Sequence, residues 1–317
     1  MLLKSSMNIS IIIPTYNAEK YLETLLTTIT KQSVRGYELI IIDSSSKDKT
    51  VEIAKKYTNN VIVIPQNEFD HGGTRAKAAQ LAKGEILVFF TQDALPYDEC
   101  TIENIVKVFE NETIGAAYGR QLSYNDTNLF GKHLRQFNYG EQSYNRSKKD
   151  IEKYGLKTAF LSDSFAAYRK STLENIGWFK DGLILGEDTY AGAKMILSDC
   201  TLAYVAEAKV YHSHSYTVLE EFRRYFDIGV FHQQEHWILD QFGKAEGEGM
   251  RYIKSELKYL LDNGGWYLIP EFFVRNAMKY CGYKLGQRHK SIPKFLIPKL
   301  SMHHRWWSNK LDNLTYK

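Results

Sequence analysis

Ile86-Leu87-Val88-Phe89-Phe90-Thr91-Gln92-Asp93 passes from purely apolar to purely polar chemistry at one peptide bond. Five consecutive apolar residues suit a strand covered on both faces, as in a parallel sheet. The run stops at Thr91, and Pro96 bars the strand from continuing. A carboxylate at the carboxyl end of a central strand stands where open α/β sheets bind ligands. Alone, the same acid is more often an ordinary turn or helix-cap residue. Its meaning depends on what surrounds it.

Working outward, three further apolar runs end in the same way. Ser10–Ile13 is closed by Pro14, Glu38–Ile42 ends at Asp43 and the turn Ser44-Ser45-Ser46, and Val61–Ile64 is stopped by Pro65. Between them, Leu22, Leu25, Leu26 and Ile29 recur at helical spacing, as do Val51, Ile53, Ala54 and Tyr57. A helix from about Thr74 to Leu81 precedes the opening strand. Strand and helix alternating in this way predict a parallel sheet wound through right-handed crossovers, an α/β fold. Ile102, Ile105, Val106 and Phe109 predict another helix, and Ile114–Tyr118 and Ser164–Tyr168 further strands. The polar, aromatic stretch 125–157 has little periodicity and reads as a binding loop or lid. Gly182–Gly186 reads as a mobile approach to Glu187-Asp188, with a helix over Ala191–Leu197. Thr201–Val205 and Lys209–His212 read as two short strands. From Thr217 the pattern turns to long helices, so a boundary is expected near Ser215, with residues 1–215 catalytic and 216–317 helical.

The 317 residues are 44% hydrophobic and 25% charged, enough for a sizeable core in a soluble chain, with a net charge of only +4. That charge is unevenly spread. Glu271–Lys317 holds ten Lys or Arg against two acids, or +8, so the residues before it sum to −4. With Phe272, Phe273, Tyr280, Tyr283, Phe295, Trp306 and Trp307, this tail suits an anionic membrane surface, or a solvated helical face over a local aromatic core. Nucleic acid is disfavoured because no binding motif accompanies the charge. Cys100, Cys200 and Cys281 are few and scattered, against a disulfide framework or zinc cluster and in keeping with a reducing compartment. No apolar run nears the ~20 residues of a membrane span, and Met1–Ser6 lacks a signal-peptide core. The sequons at Asn111, Asn125, Asn145 and Asn313 are then chance matches. A cytoplasmic protein is expected, peripheral on the inner face of the plasma membrane if the tail binds lipid.

Three acidic positions stand where strands end or loops open onto the sheet: Asp43, Asp93 and Glu187-Asp188. His212 and His214 follow a short strand. Together with Ser10–Asn17, Ile41–Thr50, Phe90–Asp93 and Gly186–Thr189, they make the first ~215 residues resemble the inverting family-2 glycosyltransferases of the GT-A fold. Phe69-Asp70-His71-Gly72-Gly73-Thr74-Arg75 is similar to the variant in bacterial rhamnosyltransferases of cell-wall and O-antigen polysaccharide assembly. The resemblance implies a donor site of Pro14, Thr15, Tyr16, Asp43, Gly72, Gly73, Arg75, Gln92 and Asp93. In it Asp43 accepts from the pyrimidine N–H, the two glycines allow close backbone approach, and Arg75 bonds the donor. It further implies Asp93 as ligand to Mg²⁺ or Mn²⁺ with His212, His214 being the runner-up, since both lie on one face of an extended segment. Asp188 is implied as general base, with a raised pKa, and Glu187 as orienting group. The chain departs from the family in having Thr91 where a first metal-motif acid usually stands, a poorer ligand for a hard cation.

The implied reaction is a single displacement with inversion. Rhamnose would pass from dTDP-β-L-rhamnose to a polyprenyl-diphosphate-linked glycan in α linkage. The rivals are the same chemistry with a UDP-hexose or UDP-N-acetylhexosamine, and a nucleotide-sugar-binding protein without turnover. The helical tail is expected to make acceptor, membrane or homo-oligomer contacts. One decoy is present: His232-Gln233-Gln234-Glu235-His236 fits the H-x-x-E-H pattern of zinc peptidases, but a lone five-residue match is a weak signal.

Overall fold

The structure, a computed structural model, describes residues 7–243 and 246–308. Met1–Ser6 and Asn313 lie outside the described residues. The strands are β1 (Ile9–Thr15), β2 (Glu38–Asp43), β3 (Val61–Val63), β4 (Ile86–Phe90), β5 (Leu95–Pro96), β6 (Ile114–Leu122), β7 (Tyr144–Arg146), β8 (Phe165–Arg169) and β9 (Thr201–Tyr211). The helices through the first two-thirds of the chain are α1 (Glu19–Thr30), α2 (Thr50–Lys55), α3 (His71–Leu81), α4 (Thr101–Lys107), α5 (Leu129–Asn138), α6 (Ile151–Tyr154), α7 (Lys170–Asn175) and α8 (Glu187–Leu197). They are followed by α9 (Val218–Gln234), α10 (His236–Phe242), α11 (Glu246–Asp262), α12 (Ile269–Gln287) and α13 (Ile297–Leu300).

Two compact units result. The first takes in the described parts of Met1–Tyr124, Tyr139–Gly182 and Glu187–His212; the second takes in Asn125–Asn138, Leu183–Gly186 and the described parts of Ser213–Lys317.

All nine strands of the sheet belong to the first unit. Their order is β3-β2-β1-β4-β8-β6-β9-β5, with β7 pairing on β9. The half β3-β2-β1-β4 is wholly parallel. The short strand β8 runs antiparallel between β4 and β6, and β6 and β9 are again parallel. The continuous apolar runs have the expected cause: Ile11, Ile12, Ile13, Ile41, Ile42 and all of β4 are solvent-free on both faces. Leu22, Leu25, Leu26 and Ile29 of α1 and Ile102, Ile105 and Val106 of α4 join that core. The register sets Thr15 opposite Asp43, so β1 and β2 finish level.

The architecture departs from the sequence reading at four places. The stretch 125–157 is no open loop. It contains α5, β7 and α6; β7 and α6 are only three and four residues long, α5 buries Phe130, Gly131 and His133 rather than an aliphatic stripe, and α5 belongs to the second unit. Gly182–Gly186 is no mobile approach, since Leu183 and Ile184 are buried. Thr201–Val205 and Lys209–His212 join as one strand. Gly119 pairs Val205 while Arg120 pairs Lys209, so a bulge at Ala206-Glu207-Ala208 interrupts the alternation without ending the strand. Finally, α3 starts at His71, not Thr74, with Asp70 as its N-cap accepting from the Gly73 N–H at 2.7 Å.

The second unit is helical. A reciprocal capping box between Thr217 and Glu220 starts α9, which crosses α12 so closely that Gly286 lies directly on the Phe226 carbonyl. Buried charges cross-link the helices: Arg275 lies 3.1 Å from Glu221, and Lys279 lies 3.5 Å from Glu221 and 3.6 Å from Glu256.

Candidate active site

The carboxyl ends of β1, β2 and β4 gather the first group. Asp43, fully buried, accepts from the Thr15 hydroxyl at 2.9 Å, the Ser46 N–H at 2.8 Å and the Ser46 hydroxyl at 2.6 Å. Three of its roughly four acceptor positions are thus filled by the chain itself. Gln92 accepts from the Tyr16 N–H at 2.8 Å and donates to the Tyr16 carbonyl at 3.2 Å. Its amide mimics one more rung of the ladder between β4 and β1, holding Pro14, Thr15 and Tyr16 in line beyond the last strand pair. Pro14 and Tyr16 are half-buried beside this edge.

Asp93 lies just beyond β4, and His212 just beyond β9. The His212 Nε2 stands 3.5 Å from the Asp93 carboxylate. On its far side, His212 Nδ1 meets the Gln121 carbonyl oxygen at 2.9 Å, and the Gln121 amide donates to Ser162 at 2.9 Å. With the Gln121 oxygen accepting from Nδ1, the proton sits on Nδ1 and Nε2 is turned toward Asp93, the arrangement of a metal-ligating histidine. A carboxylate oxygen with an imidazole nitrogen fits a divalent cation. Thr91, in the place of the usual first acid, keeps its hydroxyl buried with no hydrogen-bond partner. His214 falls two residues on, in the second unit.

The second group surrounds Arg75 on α3 and was only half legible in sequence. Arg75 is buried, its Nη1 3.0 Å from Glu187 and its Nε 3.2 Å from Asp163. Asp163 also accepts from the Tyr168 hydroxyl at 2.6 Å, and its own N–H donates to Asp188 at 3.3 Å. Asp188 heads α8 and further accepts from the Thr189 N–H at 2.6 Å. One guanidinium therefore pairs with two buried carboxyl groups, and the half-buried Asp188 adjoins them through the Asp163 N–H. Burial, and then the neighbouring Glu187, push Asp188 up to about 6. Burial pushes Asp163 up to about 8 against the pull of Arg75.

Two expectations change here. Arg75, expected to bond the donor, pairs with Glu187 and Asp163. At Gly72, an added Cβ would stand 1.8 Å from the Lys180 carbonyl oxygen, so the close backbone approach is made by the chain's own loop. Gly73 follows in the first turn of α3, its N–H committed to Asp70. Asp163 and Tyr168 were missed. The available signal was an acid directly ahead of an apolar strand, and nothing in the sequence said that it would face Arg75.

The decoy dissolves. The chain leaves helical geometry at Glu235, between α9 and α10, and His232 is buried against the Tyr283 hydroxyl at 2.9 Å while His236 is exposed. No metal-type cluster forms there among the described residues.

A wound α/β sheet with a strand-end acid beside a histidine, and a buried Glu next to a half-buried Asp at the head of a helix, is the arrangement of the GT-A nucleotide-sugar transferases. The sequence pattern of Glycosyl transferase family 2 matches residues 10–177, over half of the chain, and the protein belongs to that family of enzymes. It is 45% identical over 305 residues to the O-antigen chain rhamnosyltransferase RfbN of Salmonella typhimurium, covering 96% of this chain and 97% of the relative. It is likewise 45% identical to the O-antigen chain rhamnosyltransferase WbaN of Salmonella anatum, covering 95% and 96%. Among solved structures it resembles the mannosyltransferase PcManGT of Pyrobaculum calidifontis, determined with GDP-Man and Mn²⁺. The TM-score is 0.59 at 17% identity, covering 98% of this chain and 88% of that one. Residues 1–349 of S. aureus TarS give 0.54 at 20% identity, covering 90% and 91%. These two likenesses establish the fold.

Proposed function

We propose that this glycosyltransferase moves L-rhamnose from dTDP-β-L-rhamnose to a polyprenyl-diphosphate-linked glycan, forming an α-L-rhamnoside on the cytoplasmic face of the membrane. The observation that carries this reading is the 45% identity, over nearly the whole of both chains, to two O-antigen chain rhamnosyltransferases.

The site's chemistry supports it. Asp188 is the general base: its ionised carboxylate takes the proton of the acceptor hydroxyl as that oxygen bonds to the anomeric carbon. The bond from that carbon to the diphosphate breaks on the opposite face, so configuration inverts. A pKa near 6 leaves the base mostly ionised at neutral pH while keeping useful proton affinity. Glu187, tied to Arg75, holds α8 in place behind it. Pro14, Thr15 and Tyr16, aligned by Gln92, frame the pocket for the pyrimidine, with Asp43 fixing its rim. Asp93 and His212 would hold Mg²⁺ or Mn²⁺, which when bound offsets the charge gathering on the departing dTDP.

The test is turnover across a donor panel of dTDP-rhamnose, UDP-glucose, UDP-galactose and UDP-N-acetylglucosamine with a lipid-linked acceptor. Release of dTDP together with a rhamnosylated product is expected. Transfer from a UDP-sugar alone would replace the donor, and donor binding without transfer to any lipid-linked acceptor would reduce the chain to a binding module.

A further inference from the structure

The tail aromatics do not act as one group. Phe272 and Trp307 are buried, and Tyr283 bonds to His232, so these three belong to the core of the helical unit. Others turn outward. Phe273 is 63% exposed, Val274 51% and Tyr280 62%, and Ala277 and Cys281 are exposed as well. Spacings of one, four, seven and eight residues from Phe273 place all five on one stripe of α12. The opposite stripe is fully committed: Phe272, Arg275, Lys279, Gly282 and Gly286 are buried, with the last two pressed on the Phe222 and Phe226 carbonyls of α9. The helix therefore cannot roll to hide its outer face.

That face continues at both ends. Trp266 and Tyr267, just ahead of α12, are 71% and 63% exposed, and Phe295, beyond it, is 71% exposed. At its carboxyl end the stripe meets Lys284, and exposed Arg288, Lys290 and Lys294 follow. The sole acid of residues 266–308 is Glu271, and Arg275 holds it at 2.6 Å. Large apolar and aromatic groups rimmed by the exposed Arg288, Lys290 and Lys294 are the pattern of a helix lying in an interface. No described helix is long and apolar enough to cross a membrane.

We propose that the outer face of α12, flanked by Trp266, Tyr267 and Phe295, docks on an anionic phospholipid surface, with Lys284, Arg288, Lys290 and Lys294 contacting the headgroups. The charge selects this occupant over a second copy of the chain. A two-fold pairing of the same patch would either bring the basic rims together, with the helices parallel, or leave them without counter-charge at opposite ends, with the helices antiparallel, whereas anionic headgroups neutralise them. The inference deepens the reading of a lipid-linked acceptor by naming the surface that brings the enzyme to it, but its test needs no turnover.

The full chain is sedimented with vesicles of phosphatidylcholine alone and with phosphatidylglycerol added, at low and high salt. Binding to the anionic vesicles, weakened by salt, is expected. Phe273→Ser with Tyr280→Ser should lower it at least tenfold. The set Lys284→Glu, Arg288→Glu, Lys290→Glu should abolish the preference for anionic vesicles, and its largely surface positions keep the helical unit's melting curve intact. Absence of vesicle binding by the wild type overturns the proposal. So does a concentration-dependent dimer in sedimentation velocity that the Phe273 and Tyr280 substitutions dissolve, which would make the face a contact between copies. Transfer to a short-chain, water-soluble acceptor should be unchanged in both variants, separating failure of the docking face from failure of the transferase reading.

Discussion

At the scale of single residues, Arg75 carries the most consequence, because its guanidinium ties Glu187, the neighbour of Asp188, to Asp163. Asp188 must be ionised to accept a proton, so kcat/KM should fall as pH drops through about 6. Asp188→Asn should lower kcat by about 10²–10⁴-fold with donor binding retained, measured by calorimetry beside initial rates. Equal loss of donor affinity would place Asp188 in donor binding instead. Asp163 behaves differently. Burial raises its pKa to about 8 against the pull of Arg75, so it should be mostly protonated at neutral pH. Asp163→Asn preserves shape and neutrality, so it should keep kcat/KM within several-fold at pH 7 and leave the acid limb near pH 6. Asp163→Ala strands Tyr168 and Arg75 and should cost far more. A downward move of the acid limb by about one unit in the Asn variant would show that Asp163 is ionised where Asp188 titrates, since one unit is the scale of a single charge interaction. Asp43, Asp93, the Glu187-Asp188 pair and His212 could all be picked out from strand ends and motif order. Asp163 could not, because its role depends on a contact with Arg75 88 residues away in the chain.

Among the elements, the parallel strands were the most legible. Burial on both faces demands uninterrupted apolar runs, and β1, β2 and β4 have them. Short or interrupted elements were not. The four-residue α6 lacks enough turns to show a period, α5 turns Phe130, Gly131 and His133 inward instead of an aliphatic stripe, and the bulge in β9 breaks the alternation that marks a strand. The crossing of α9 and α12 is also invisible in sequence, since Gly229, Gly282 and Gly286 say little until the two helices are seen to share them. An added Cβ at Gly286 would lie 2.0 Å from the Phe226 carbonyl oxygen. Gly286→Ala should therefore push the helices apart and destabilise the protein by about 1–3 kcal/mol, despite alanine's better helix propensity. A thermal melt followed by circular dichroism measures it; an unchanged or higher midpoint would mean that the crossing relaxes freely.

At the level of the whole molecule, the two units store unusual protonation states, and stability should depend on pH accordingly. In the helical unit, burial pushes Asp227 up to about 7, while the Met302 N–H donates to it at 2.9 Å. An acid whose pKa rises on folding binds protons more tightly in the folded state, so its contribution to stability falls as pH rises from about 4 toward 7. Asp227→Asn removes that titration and keeps an acceptor for Met302. Its melting temperature relative to wild type should rise by a few degrees between pH 5 and pH 8. A difference independent of pH would show that Asp227 is not protonated in the folded protein.

Sequence alone determined the wound sheet, the family, and the residues at the strand ends, because these follow from local chemistry: apolar runs, turn residues and short motifs carry their meaning within a few positions. Tertiary structure decided what those residues touch. It turned Arg75 toward Glu187 and Asp163, oriented His212 through Gln121 and Ser162, and divided the basic aromatic tail into a buried stripe and an outward one. Those outcomes rest on side chains distant in sequence meeting in a desolvated space, where one ion pair or one tight helix crossing selects the arrangement, and no local pattern records it.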